Sequence, residues 1–146
     1  DYGHIMYSES ELYLETDGEV SVTIPPEYKA FYFITIKHRN SIETTSSEPV
    51  SFSGNTINFS FSDPSKVYGN NLKISPDGYY LIFGGDVNGD GVVDRTGDME
   101  EVAQSSLQIL RGYNDEDING DGLVDTLDMN IIDNNISSGI TALLPY

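Results

Sequence analysis

Apolar and polar residues alternate with a period of two from residue 10 to about residue 83. In "EVSVTI" the side chains of Val20, Val22 and Ile24 stand against polar neighbours, and "TINFSFS" repeats the pattern with Ile57, Phe59 and Phe61. Such alternation predicts strands with one buried face. "AFYFITIKH" is apolar on both sides, Tyr32, Ile34 and Ile36 opposing Phe31 and Phe33, which predicts a central strand. Turn signals break the run at Asp17-Gly18, Pro25-Pro26, Ser53-Gly54, Asp63-Pro64, Gly69-Asn70-Asn71 and Pro76-Asp77-Gly78. Six or seven short strands with such breaks predict a small β-sandwich.

The period changes after Gly84-Gly85. Met99, Ala103, Leu107 and Leu110 fall at helical spacing, and so do Met129, Ile132 and Ile136. Each run follows one copy of a repeated stretch, "DVNGDGVVDRTGD" (86–98) and "DINGDGLVDTLD" (117–128). The expected organisation is a mainly β chain with a small α part. A β-sandwich of residues 1–84 leads into a pair of loop–helix units in residues 85–146.

The repeated stretches carry the chemistry. Aligned as a twelve-residue loop, the second places oxygen side chains at positions 1, 3, 5, 9 and 12: Asp117, Asn119, Asp121, Asp125 and Asp128. Gly122 stands at position 6, where the chain must turn sharply, and Leu123 at position 7 offers its backbone carbonyl. Hard oxygen ligands at this spacing suit Ca²⁺, which takes six to eight of them. The absence of thiolates and imidazoles argues against zinc or copper. The first stretch supplies Asp86, Asn88, Asp90, Gly91, Val92 and Asp94 at the same places, but position 12 is Gly97 and the acid arrives one residue late as Asp98. Either a one-residue bulge restores the ligand, or a water fills the gap and the site weakens. Two Ca²⁺ sites are expected, the first weaker or distorted. Val93 and Val124 at position 8 are expected to pair the loops back to back.

Charge sharpens this picture. The chain carries 24 Asp plus Glu against 7 Lys plus Arg, a net charge of −17. Residues 85–146 hold 13 of those acids and only 2 of the bases. Phosphates would be repelled, so a nucleic-acid partner is not expected. No apolar stretch approaches 18 residues, so no membrane span is expected. With no Cys, disulfides and cysteine nucleophiles are excluded. The opening "DYGHIMYSESELYL" carries no export signal, which suits either a cytosolic protein or a trimmed exported one.

The loop–helix pair, with an acid at position 12 and no helix ahead of the loop, resembles the dockerin type I repeat over residues 86–138. The resemblance implies a secreted bacterial module that needs Ca²⁺ to fold and docks onto cohesin-like partners in polysaccharide-degrading complexes. Loop positions 10 and 11 hold Arg95-Thr96 and Thr126-Leu127, where cohesin-binding dockerins usually carry Ser-Thr-like pairs. "FYFITIKHRNSIETTSSEPVSF", "YGNNLK" and the two loops together resemble a C-terminal module of secreted Bacteroidetes-type proteins. There an Ig-like or transthyretin-like β domain runs into a dockerin-like calcium pair. That resemblance implies no catalytic activity, and relatives tend to carry more β sequence upstream. A sandwich short of strands would expose an edge able to take a strand from a neighbour.

Other chemistry is thinner. Glu43 and Glu48 read as solvated acids rather than a glycosidase pair. His38, in "KHRN", reads as a structural or surface hydrogen-bonder. Ten tyrosines admit a glycan-stacking surface, though most belong to sheet packing. Asn58-Phe59-Ser60 and Asn135-Ile136-Ser137 match a glycosylation acceptor pattern, and "TTSS" at 44–47 admits O-linked sugars but reads rather as a solvated loop. The sequence therefore predicts a non-catalytic calcium-binding module of the bacterial cell surface, self-associating through β edges. A docking module and a carbohydrate-binding module are the alternatives.

Overall fold

The computed structural model describes residues 3–146. Among these residues six short strands pair antiparallel in three two-stranded ladders: β1 (Phe31–Tyr32) with β4 (Val50–Ser51), β2 (Thr35–His38) with β3 (Ser41–Thr45), and β5 (Lys73–Ile74) with β6 (Tyr80–Leu81). Two helices follow, α1 (Glu100–Leu107) and α2 (Thr126–Ser137). The architecture is one of small sheets and few helices.

The predicted central strand is broken into β1 and β2, with Phe33 and Ile34 between them. Ile34 still holds β3's end: its N–H donates to Ser46 Oγ and its carbonyl accepts the Ser46 N–H. The segments 20–24 and 56–62 run without a ladder partner among the described residues. Val20 and Val22 are each 43% exposed. Alternation specifies a strand's two faces, but a strand forms only where a second backbone supplies hydrogen bonds. The N-terminal segment is tied down by a row of aromatic contacts from Tyr7 to Tyr28, Tyr28 to Tyr32 and Tyr32 to Phe52.

The run at 44–47 is not a solvated loop. Thr44, Thr45 and Ser46 are buried, and their hydroxyls are satisfied locally: Thr44 donates to Ile42 O, Thr45 meets Thr35, and Ser46 donates to Glu48 O. Buried hydroxyls with partners carry little penalty, so polar sequence here builds interior. Glu43 pairs with Lys37 across the hairpin at 2.8 Å.

The core lies where the chain changes period. Ile42 of β3 packs with Val87, Val93, Val102, Val124 and Ile132, and Phe83, Met99, Leu110, Ile118 and Met129 close around them. The seam at residue 84 is thus packed rather than a linker. Ile42 N–H donates to Phe83 O, Gly85 N–H to Asn40 O, and the Asn135 amide to Gly84 O. A side chain at Gly84 would press on Ile118 at 3.1 Å, so this crossing is a tight one. Asn135, the second acceptor-pattern asparagine, is 2% exposed and consumed by this contact, whereas Asn58 is exposed.

In α1 the buried position is Val102, not Leu107, which is 81% exposed at the helix end. Leu110 packs on the core from the segment after the helix. In α2 the expected Ile132 is fully buried and Met129 and Ile136 flank it.

Candidate metal centre: two acid loops

Each loop is held by one scheme of backbone amides donating to its own side chains. In loop 2, Asp117 Oδ2 accepts from Gly122 N–H (3.0 Å) and Oδ1 from Gly120 N–H (2.9 Å). Asn119 Oδ1 accepts from Asp121 N–H, and Asp121 Oδ1 from Leu123 N–H. Asp125 caps α2 through Leu127 N–H (2.7 Å). Asp128 reaches back: Oδ1 accepts from Ile118 and Asn119 N–H (2.8 and 3.0 Å) and Oδ2 from Asp125 N–H (2.9 Å). Gly122 sits at φ +85°, the left-handed turn that position 6 demands.

Loop 1 repeats the scheme. Asp86 Oδ2 accepts from Gly91 N–H (3.0 Å), Asn88 Oδ1 from Asp90 N–H, and Asp90 Oδ1 from Val92 N–H. Asp94 accepts from Gly97 N–H (2.7 Å). Asp98 then does what Asp128 does: Oδ1 accepts from Val87 and Asn88 N–H (2.8 and 3.4 Å), and Oδ2 from Asp94 N–H (2.8 Å). Asp98 and Asp128 are both fully buried.

The additional residue is absorbed by a π-helical turn, Arg95–Met99. Met99 N–H bonds to Asp94 O, five residues back, where Met129 N–H bonds to Asp125 O, four back. One wider turn takes up one residue and delivers the late acid to the same place. The backbone thus takes the bulged course, one of the two that the sequence left open. Gly97 is part of the solution, because a side chain there would collide with the Asn88 amide.

The position-8 valines are both buried in the core, but the loops do not bridge to each other through them. Val92 bridges to Thr141 after α2, with Val93 N–H donating to Ile140 O. Leu123 bridges to Arg111 after α1, with Val124 N–H donating to Leu110 O. Each loop is thus sewn to a segment that follows a helix. Arg95 adds an exposed ion pair from the π turn to Asp133 of α2.

The electrostatics of loop 1 are unfavourable as they stand. Asp86 is 2% exposed, and its Oδ1 makes no hydrogen bond, although the Gly89 amide lies close enough to favour the ionised form. Burial, with Asp98 and Asp90 nearby, pushes the Asp86 carboxyl above its usual range. Burial does the same to Asp98 against the pull of its three amides. A buried carboxylate oxygen without a partner is costly, and a cation is what would satisfy it. Asp86 and Asp90 also line an open groove of about 320 Å³ between loop 1 and the β2–β3 hairpin. Among the described residues no three carboxylate or imidazole groups already stand as a closed ligand set. The donor chemistry is nevertheless all oxygen, and Asn88, Asn119 and the Val92 and Leu123 carbonyls would add further oxygens of the same kind. These residues fit Ca²⁺ better than a softer ion.

One neighbour of the loops was not legible in the sequence. Arg39 Nη2 and Asn40 Nδ2, at the β2–β3 turn, both donate to the Asp117 carbonyl (2.9 and 3.1 Å). The Arg39 guanidinium lies 4.3 Å from the centre of the Tyr113 ring. Its Nε and Nη1 are buried without partners, at about 1–3 kcal/mol for each unsatisfied donor. Apolar bulk at this position would carry no such cost, so its distinguishing features are the carbonyl bond and the aromatic stack.

Among the described residues no helix is long and apolar enough to cross a membrane. Comparison of the chain with protein-family models, with curated proteins and with solved structures returns no match.

Proposed function

We propose that this chain is a non-catalytic, extracellular calcium-binding structural module of the dockerin-like kind, a subunit of a bacterial surface or fibre assembly stabilised by two Ca²⁺. The observation that carries the reading is the duplicated carboxylate–amide scheme, reached over twelve residues in one loop and thirteen in the other, with Asp86 Oδ1 buried and unpartnered. Asp86, Asn88, Asp90, Val92, Asp94 and Asp98 would hold one ion. Asp117, Asn119, Asp121, Leu123, Asp125 and Asp128 would hold the other. The ions would neutralise acids that otherwise repel one another, taking the net charge from −17 toward −13 and coupling binding to folding. Abundant extracellular calcium allows such sites to be weak, which suits an exported protein.

Assembly is supported by the β half. Ile5, Tyr13, Leu14, Val20 and Val22 are exposed on backbone that joins no ladder among the described residues. A strand from a neighbouring copy would supply the missing hydrogen bonds, cover these side chains and complete an Ig-like or transthyretin-like sandwich from residues 1–84. The alternative of a calcium-dependent docking module draws on the exposed Leu127 in loop 2.

Sedimentation velocity on the purified chain, in excess calcium and then in chelator, tests the reading. Large particles that dissolve in chelator are expected. A compact monomer that loosens in chelator would replace assembly with docking, and indifference to chelator would overturn the calcium reading itself.

A further inference from the structure

Two donors from one tight turn converge on one carbonyl in loop 2. Arg39 and Asn40 lie 78 and 77 residues from Asp117, yet both bond its backbone oxygen. Asn40 is 3% exposed and fully engaged: its Oδ1 meets His38 Nδ1 at 3.1 Å, and its carbonyl accepts Gly85 N–H at 2.7 Å. Arg39 is steadied on the other side by Tyr113, four residues ahead of Asp117. Asp117 opens loop 2, and its carboxylate organises the Gly120 and Gly122 amides. Fixing its peptide plane therefore fixes the direction in which that carboxylate enters the loop.

Resting on the calcium reading above, we infer that Arg39 and Asn40 are positioning residues for the cation of loop 2, and that the β2–β3 hairpin and that ion are thermodynamically linked. Groups that orient a metal's ligands govern affinity without touching the metal. Linkage is reciprocal: a hairpin that favours the ion is tightened by the ion. The two residues differ in kind. Neutral Asn40 supplies position alone, whereas Arg39 supplies position together with a positive charge that opposes the ion. Loss of Asn40 is therefore the more damaging to binding.

The test is hydrogen exchange on the full chain with Ca²⁺ or chelator, read at the Ser41–Thr45 amides. Wild type is compared with Asp121→Ala, which disables loop 2, and Asp90→Ala, which disables loop 1. Calcium is expected to slow hairpin exchange in wild type and in Asp90→Ala, but not in Asp121→Ala. Calorimetric Ca²⁺ titration should show the loop 2 site weakened roughly tenfold in Asn40→Ala, less in Arg39→Ala, and nearly intact in Arg39→Lys. If Asn40→Ala does not fold, the exchange comparison with Asp121→Ala decides. Calcium uptake with hairpin exchange unchanged, or slowed equally in Asp121→Ala, would overturn the linkage and leave the calcium reading standing. No calcium uptake by wild type would overturn both.

Discussion

The two loop–helix repeats reach one arrangement by different backbone routes. Repeat 2 is regular: Asp125 and Asp128 form a reciprocal capping box, α2 runs twelve residues, and it closes on Gly139 at φ +65°. Repeat 1 inserts a residue, widens its first turn to a π-helix, and closes on Ile109 at φ +54°, where a branched side chain is strained. The closing bonds match all the same: Ile109 and Leu110 N–H bond to Ser106 O and Ser105 O as Gly139 and Ile140 do to Ile136 O and Asn135 O. What the repeats share is the destination of the last acid and of the chain after each helix. Sequence offset is subordinate to where the buried carboxylate must arrive.

The sharpest way to break this equivalence is to remove that acid. Asp98→Ala and Asp128→Ala each orphan three backbone amides, and each should cost about 3 kcal/mol or more in denaturant unfolding under chelator. Clearly unequal losses would mean that the π turn does not reproduce the regular loop. Next, Gly97→Ala should displace the Asn88 amide and lower calcium affinity in loop 1 alone, while Leu127→Ala, at an exposed position, should change little; calorimetric titration of both variants would tell. A smaller effect separates the helix ends. Ile109→Gly should gain about 1 kcal/mol, since the side chain is 63% exposed and its left-handed conformation is relieved, and Gly139→Ile should lose a similar amount. Thermal melts of the pair would settle the sign.

The smallest expected effect lies in the hairpin. Desolvation, with Arg39's charge, lowers the His38 pKa from its usual value. The folded chain thus binds fewer protons than the unfolded chain in the window from about pH 6.5 downward to the lowered value. Stability from this group is complete above that window and falls as the pH is lowered through it. Denaturant midpoints at about pH 7.5 and about pH 5.5 should differ less in His38→Gln than in wild type.

Much of the loop geometry was legible because it is local. Asp117 to Asp128 and Asp86 to Asp94 follow from spacing alone, and the structure sets each against the amides that such spacing implies. The late Asp98 was visible as an irregularity, but its resolution was not, since one wide helical turn and a water-filled gap read alike in letters. The β half was read less well for a physical reason. Alternation at 20–24 and 57–61 fixes side-chain faces, whereas ladders depend on partners far along the chain, and Phe31–Tyr32 and Val50–Ser51 pair instead. Thr44, Thr45 and Ser46 were misjudged because hydroxyl residues are interior only when a neighbour satisfies them. The Arg39–Asn40 contact leaves no pattern at all, being a meeting of residues more than seventy positions apart.

The seams beside the two loops differ in how much chain each must close. Arg111 meets Leu123 after a short excursion, whereas Thr141 must return to Val92 across all of repeat 2. Ring closure over the longer path is entropically dearer and slower, so the second repeat should assemble first and the segment around Thr141 should zip last. The same order holds in reverse for damage. Loss of the segment around Thr141 would unfasten loop 1 while leaving loop 2 laced, so the damage would surface at the acid loop that lies farther away in sequence.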